Sequence, residues 1–255
     1  MRDIITINKK LEKLRLGGMQ MTCDHRLKTA QEENWSYSAL LDMLLTDEIE
    51  QKNRARLTRR LSRSYLNPSK TLESYDFKFN PRVQPALIRE LACCKFVEDR
   101  ENIFLIGPTG VGKSHIAEAL GHEACRRGVD VHYYRAHKLF DWIQSGRGDG
   151  SHKRRMEKII RIPLLILDDF GLQSMDANQQ EDLYEVICER YEKRSMIITS
   201  NRDMTEWPSI FSNPLVGSAA MDRLVHKGIE IIIDGESYRL DQFKKKTGIQ
   251  KKQTI

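Results

Sequence analysis

After residue 100 the chain is punctuated by five short apolar bursts: NIFLIG (102–107), GVDVHYY (128–134), IPLLILDD (162–169), SMIITSN (195–201) and IEIIIDG (229–235). Helical stretches lie between the first four, over 113–126, about 137–161 and 178–193. Short buried strands alternating with helices predict an α/β fold with a mostly parallel five-stranded sheet covered on both faces. The last burst runs on into IIIDGESYRL, which reads as a terminal hairpin with Gly235 in the turn. No internal repeat stands out.

The first part of the chain has a helical period instead. Ile7, Leu11 and Leu14 share a face over 5–16, and Gly17-Gly18 is expected to stop that turn. The pattern resumes at Trp35 with Leu40, Leu41, Leu44, Leu45 and Ile49, then Leu57, Leu61 and Tyr65 at i,i+4 spacing. Asn67-Pro68 should end this helix. The aromatic, non-periodic SKTLESYDFKFNP then reads as a connector packing against the next domain. These features divide the chain into an N-terminal helical domain (1–69), binding DNA or a partner, and a larger domain (70–255).

Charge changes that picture in one place. The 42 Lys and Arg against 36 Asp and Glu give a net charge of +6, which permits an acidic partner without requiring one. Position says more: no acid interrupts QKNRARLTRRLSRSYLNPSK, and Lys52, Arg54, Arg56, Arg59, Arg60 and Arg63 lie opposite the leucine stripe. Like charges at Arg56/Arg60 and Arg59/Arg63 cost a few tenths of a kcal/mol each unless an anion offsets them. Arg56, Arg59, Arg60 and Arg63 are therefore candidate contacts to DNA phosphates, the plain alternative being a solvated helix face. Lys244, Lys245 and Lys246 are a reserve candidate, with a solubilising tail as their alternative. Five cysteines (Cys23, Cys93, Cys94, Cys125, Cys188) with no CxxC pair suit free thiols in a reducing compartment rather than a zinc site. The charged N-terminus does not read as a signal peptide, and no stretch approaches transmembrane length, so the expectation is a cytoplasmic protein with no membrane partner.

The chemistry sits after the first burst. GPTGVGKS (107–114) followed by the helical HIAEALGHEACRR matches G-x-x-x-x-G-K-[ST] in the strand–loop–helix context it requires. Gly107, Gly110 and Gly112 let the backbone turn tightly and approach phosphate oxygens. The loop Gly107, Pro108, Thr109, Gly110, Val111, Gly112, Lys113 and Ser114, with His115 beside it, is the candidate nucleotide cradle, its N–H groups facing the phosphates. Lys113 brings a mobile positive charge, and Ser114 a hydroxyl for Mg²⁺. His115 and His122 otherwise read as packing or surface residues. The loop also accounts for the adjacent acids of ILDDFG. Strand C-termini converge on the loop's crevice, so Asp168 can hold Mg²⁺ through water and Asp169 can orient or deprotonate the attacking water. Asn201, ending the fourth strand, would reach the same crevice; a plain strand-end turn is its alternative. No NKxD-like base-recognition motif follows a later strand, so ATP is the expected nucleotide, its base lying against Tyr75, Phe77 and Phe79, with core packing as the alternative for those aromatics.

GPTGVGKS, LLILDDFG, ITSNRDMTEWPSIF and AAMDRLVHKGIEIIIDGESYR, in this order and spacing, resemble the IstB-like ATPases of the AAA+ superfamily. These are helpers of a bacterial transposon class and are similar to the DnaC helicase loader. LTRRLSRSYLNPSKTLESYDFKF also resembles that family's basic helix and aromatic linker, so the likeness covers most of the chain. It implies an AAA+ P-loop NTPase core with a small N-terminal helical domain. Lys113, Asn201 and Arg223 would match the Walker A lysine, sensor I and the arginine finger, and Asp168 the Mg²⁺-associated acid. Asp169 would take the base position, where most AAA+ proteins carry glutamate. The implied activity is ATP hydrolysis by a homo-oligomer on double-stranded DNA that works with a separate transposase. The fifteen residues after YRL are too few for a C-terminal lid domain, so none is expected. By itself, SAAMDRLVHKG reads as a helix with Met221, Leu224 and Val225 towards its apolar side, and an Asp222/Arg223 surface pair is the plain alternative. A helicase loader, a small-molecule P-loop kinase and a non-enzymatic DNA-binding protein remain as other classes. The kinase lacks a visible acceptor lid, and the intact Lys113, Ser114, Asp168 and Asp169 weigh against the last.

Overall fold

The computed structural model describes residues 2–247, with side chains from residue 5, and the chain divides into two compact units, 1–60 and 61–255. The division falls inside a long helix, ahead of the connector where the sequence placed a boundary.

The first unit holds α1 (Arg2–Lys13), α2 (Gly17–Glu32) and most of α3 (Tyr37–Ser64). Gly17-Gly18 opens α2 instead of ending structure there. A Cβ on Gly18 would lie 2.6 Å from the Asp47 carbonyl oxygen and the Glu48 Cα, so the glycine is needed for helix packing rather than for a stop. Glu48, buried on α3, accepts the N–H groups of Gly18 and Met19 at 2.7 and 3.1 Å. It thereby caps α2 with a negative charge at the positive end of its dipole. Arg26 forks onto Asp47 at 2.9 and 2.8 Å, and that bond holds the Asp47 carboxyl down at about 2. The basic run opens with Lys52 and Arg54 paired one turn back to Glu48 and Glu50. Arg56, Arg59 and Arg63 are exposed and Arg60 is half-buried. At 100° per residue these four fall within about one third of the helix circumference.

α3 stops at Ser64, before the expected Asn67-Pro68. Tyr65 takes φ 62°, leaves the leucine stripe and is 57% exposed.

In the second unit, α4 (Pro85–Leu91) and α5 (Lys95–Glu98) precede a five-stranded sheet. Its strands are β1 (Asn102–Ile106), β2 (Val131–Arg135), β3 (Leu164–Asp168), β4 (Ser195–Ser200) and β5 (Gly228–Ile232), in the order β2-β3-β4-β1-β5. Every pairing is parallel. β3 is buried along its whole length, as expected of a central strand covered on both sides. The covering helices are α6 (Lys113–Arg126), α7 (Ala136–Asp149), α8 (His152–Arg161), α9 (Ala177–Arg190) and α10 (Pro214–Val225). Trp207, from a 3₁₀ segment (Met204–Ile210), fills one side of the core against Phe104 and Phe170. The guanidinium of Arg190, only 2% exposed, donates to five carbonyls around the α8–β3 turn and the start of β4, those of Ile159, Ile160, Ile162, Pro163 and Ser195.

Two expectations are corrected here. The single helix over 137–161 is two: Gly150, at φ 73°, ends α7, and Asp149 accepts from the Ser151 N–H and hydroxyl to start α8. The terminal hairpin is a strand followed by a helix. β5 runs parallel to β1, the chain turns at Gly235, and α11 (Tyr238–Thr247) follows. Asp241 in the first turn of α11 and Lys244, Lys245 and Lys246 in the last complement the helix dipole, a charge order that a β return strand would not reward.

Candidate functional site

The glycine loop leaves β1 at Gly107 and enters α6 at Lys113. Gly107, Gly110 and Gly112 have φ of 149°, 90° and 105°, the left-handed side that L residues avoid. The chain itself also crowds them. A Cβ on Gly107 would meet the Ile233 carbonyl oxygen at 1.9 Å, one on Gly110 the Ser237 hydroxyl at 2.1 Å, and one on Gly112 the Tyr75 hydroxyl at 2.8 Å. The segment after β5 is laid along the loop: Tyr238 donates its N–H to the Gly110 carbonyl at 3.0 Å, and Ile233 donates to the Ile106 carbonyl at 2.7 Å. Lys113 is 7% exposed and folds back onto the Gly107 and Pro108 carbonyls at 2.7 and 2.9 Å. Burial pulls its pKa down, while Asp169 and Asp168 favour its charged form.

The two acids come off β3 differently. Asp168 is 3% exposed; its Oδ2 accepts from the Tyr133 hydroxyl at 2.6 Å and its Oδ1 from the Thr199 hydroxyl at 2.5 Å. Burial, and then the neighbouring Asp168, push the Tyr133 phenol well up from its ordinary value. Asp169 adopts φ 56°, so it leaves the strand's alternation, and its N–H donates to Thr199 Oγ1 at 3.1 Å. Among the described residues neither acid has an ion-pair partner.

A cleft of about 530 Å³ collects these groups. Thr109 to His115 line it with Asp168, Asp169 and Asn201. Gly107 and Pro108 stay behind the loop as acceptors for Lys113. Of the three connector aromatics, Tyr75 and Phe79 line the cleft and Phe77 does not, packing edge-on against Tyr75 at 4.7 Å. Phe79 in turn meets Tyr238 edge-on at 5.0 Å. Arg223 does not line the cleft of its own chain. It sits on α10, donates to the Ala219 carbonyl at 2.8 Å and lies 5.9 Å from the Tyr184 ring, rather than pairing with Asp222. Met221 and Leu224 are buried as expected, whereas Val225 is exposed.

Sequence reasoning missed Tyr133, Arg135, Tyr238 and Arg239 among the lining residues. The two on β2 were legible in principle, because a strand beside β3 ends at the same crevice. Tyr238 and Arg239 had no local signal once their segment was read as a hairpin.

The connector is bolted to the helix that follows the glycine loop. Glu118, 2% exposed, accepts from the Asn67 N–H at 2.7 Å and Lys70 Nζ at 2.5 Å. His115 bonds the Thr71 carbonyl at 2.9 Å, and His122 the Asn67 carbonyl at 2.9 Å. Positions 115, 118 and 122 share one face of α6. Both histidines thus tie the connector to α6, and His115 also borders the cleft.

A parallel sheet with this loop at the end of β1 and two acids at the end of β3 defines a P-loop nucleotide-binding core. The chain belongs to the IstB-like ATP binding protein family, whose sequence model matches residues 9–246. It is 36% identical over 234 residues to an ATP-binding protein in an insertion sequence of Mycobacterium tuberculosis, covering 91% of this chain and 93% of that one. Against the insertion sequence IS21 ATP-binding protein of Pseudomonas aeruginosa the identity is 33% over 244 residues, covering 96% and 92%. Among solved structures, AMPPCP-bound DnaA from Aquifex aeolicus superposes with a TM-score of 0.57 at 24% identity, over 74% of this chain and 59% of that one. The DnaC helicase loader gives 0.56 at 21% identity, over 65% and 97%. Both likenesses establish the fold. Among the described residues no helix is long and apolar enough to cross a membrane.

Proposed function

We propose that this protein is an ATP-hydrolysing helper of DNA transposition that assembles as a homo-oligomer on double-stranded DNA and engages a separate transposase at the target. The observation that carries this reading is one cleft lined by Lys113, Ser114, Asp168, Asp169 and Asn201 in a chain matched along nearly its whole length by insertion-sequence ATP-binding proteins.

The residues divide the work. Loop N–H groups and Lys113 hold the phosphates, which requires Lys113 to leave the Gly107 and Pro108 carbonyls. Tyr75, Phe79 and Tyr238 offer flat surfaces for the base. Mg²⁺ fits the donor set, because a buried carboxylate without an ion-pair partner and a serine hydroxyl share the cleft, and no cluster of three or more ligating side chains exists among the described residues. That composition suits a cation held mainly by phosphates and water. Ser114 and Asp168 would hold it, and when bound it would supply charge that neutralises the phosphates. Asp169 takes the proton of the attacking water, and Asn201 orients that water. Arg223, remote from its own cleft, acts on the nucleotide of a neighbouring subunit. The basic face of α3 holds duplex phosphates.

The test is ATPase rate measured with and without duplex DNA while particle size is followed. Hydrolysis that rises with DNA-dependent assembly supports the reading. A rate indifferent to both duplex and assembly overturns it. Stimulation only by a replicative helicase places the chain with the loaders instead.

A further inference from the structure

Two hydroxyls from the strands flanking β3 close on Asp168. Tyr133 reaches Oδ2 from β2 at 2.6 Å, and Thr199 reaches Oδ1 from β4 at 2.5 Å. The direction of the second bond is fixed: Thr199 Oγ1 already accepts the Asp169 N–H at 3.1 Å, so its single proton goes to the carboxylate. An ordered relay therefore runs from the Asp169 backbone through Thr199 to Asp168, and strands on both sides of β3 hold one carboxylate by both oxygens. Thr199 is fully buried and Asp168 nearly so, and the two hydroxyls set the carboxylate plane from within the sheet. Each oxygen keeps lone-pair capacity after its one bond. Tyr133 differs from Thr199 in lining the cleft, and its oxygen, having donated, can accept from a water inside it.

We propose that Tyr133 and Thr199 are positioning residues for the cation that accompanies the nucleotide: they fix the plane of Asp168, and the Tyr133 oxygen receives a hydrogen bond from the cation's water shell. This rests on the cleft being a site for Mg²⁺ and ATP. Groups that orient a metal's ligands typically change metal affinity by about 10–100-fold when removed. Tyr133→Phe keeps the ring and removes the hydroxyl; Thr199→Val keeps the shape and breaks the relay; Thr199→Ser restores the donor.

The experiment uses the full chain and a fluorescent ATP analogue, titrated in EDTA and then across a Mg²⁺ series, with thermal unfolding of each variant. Nucleotide affinity in EDTA should match the parent for Tyr133→Phe, and its unfolding should stay cooperative, with the midpoint lowered only by the one lost hydrogen bond. The Mg²⁺ concentration giving half of the metal-dependent tightening should rise by about 10-fold or more. Thr199→Val should shift it the same way and Thr199→Ser should return it. An unchanged Mg²⁺ midpoint in Tyr133→Phe and Thr199→Val overturns the proposal. Equal weakening with and without Mg²⁺ also overturns it, by reducing the hydroxyls to fold support. A parent protein that binds the analogue without any response to Mg²⁺ defeats the reading of the cleft itself, a result distinguishable from a parent that responds and variants that respond alike.

Discussion

Lys113 and Asp169 lie in one cleft but carry charges of opposite use. Lys113 is poised against loop carbonyls that a phosphate would replace, so Lys113→Ala should weaken nucleotide binding directly. Asp169→Asn keeps the size and the backbone bond to Thr199, and should leave binding near parental while lowering turnover by about 10²-fold or more, the scale of a lost general base. Binding titrations and single-turnover hydrolysis separate the two effects. Both rates within twofold of the parent would sink the assignment. These residues were readable because a glycine-lysine-serine loop and an acid pair carry their chemistry in adjacent letters. Tyr133 was missed because nothing local marks a tyrosine whose partner lies 35 positions away; only the placing of β2 beside β3 points to it.

Elements followed the same division between local and distant causes. The alternation of buried strand and helix was legible because a strand covered on both faces must be apolar throughout, as Leu164 to Leu167 are. The break at Gly150 was hidden by continuous helical periodicity on either side. Gly18 was misread because its reason is the backbone of α3, about thirty residues on. For α3 itself the expectation is electrostatic. Arg56, Arg59, Arg60 and Arg63, changed together to glutamine, should weaken binding to unrelated duplexes alike and flatten the log–log salt dependence by up to about four units. Helicity followed by circular dichroism guards against a trivial loss of structure. An unchanged slope in a helical variant moves the phosphate contacts elsewhere, with Lys244, Lys245 and Lys246 next in line.

At the scale of the whole molecule, Arg223 belongs to a different surface from the cleft it is proposed to serve. On that proposal hydrolysis should depend on assembly, one subunit supplying the loop and the next the arginine. Arg223→Ala alone should bind nucleotide yet lose about 10²-fold or more in rate. Mixed with Lys113→Ala, itself nearly inactive, it should regain ATPase activity, because some interfaces then pair an intact loop with an intact arginine. Rate measured across mixing ratios checks this. Persistent inactivity in oligomers shown to contain both variants counts against donation between subunits.

The path of the chain after β5 bears on what the loop glycines are needed for. Ile233 and Ser237 press on Gly107 and Gly110 so closely that a side chain at either glycine would collide with this protein's own backbone and hydroxyl, whether or not a nucleotide ever arrives. Substitution at either glycine should therefore cost folding before it costs binding, whereas Lys113 and Asp169 can be lost with the frame intact. The glycines are then a requirement of the architecture, and the lysine and the acids beside them carry the chemistry.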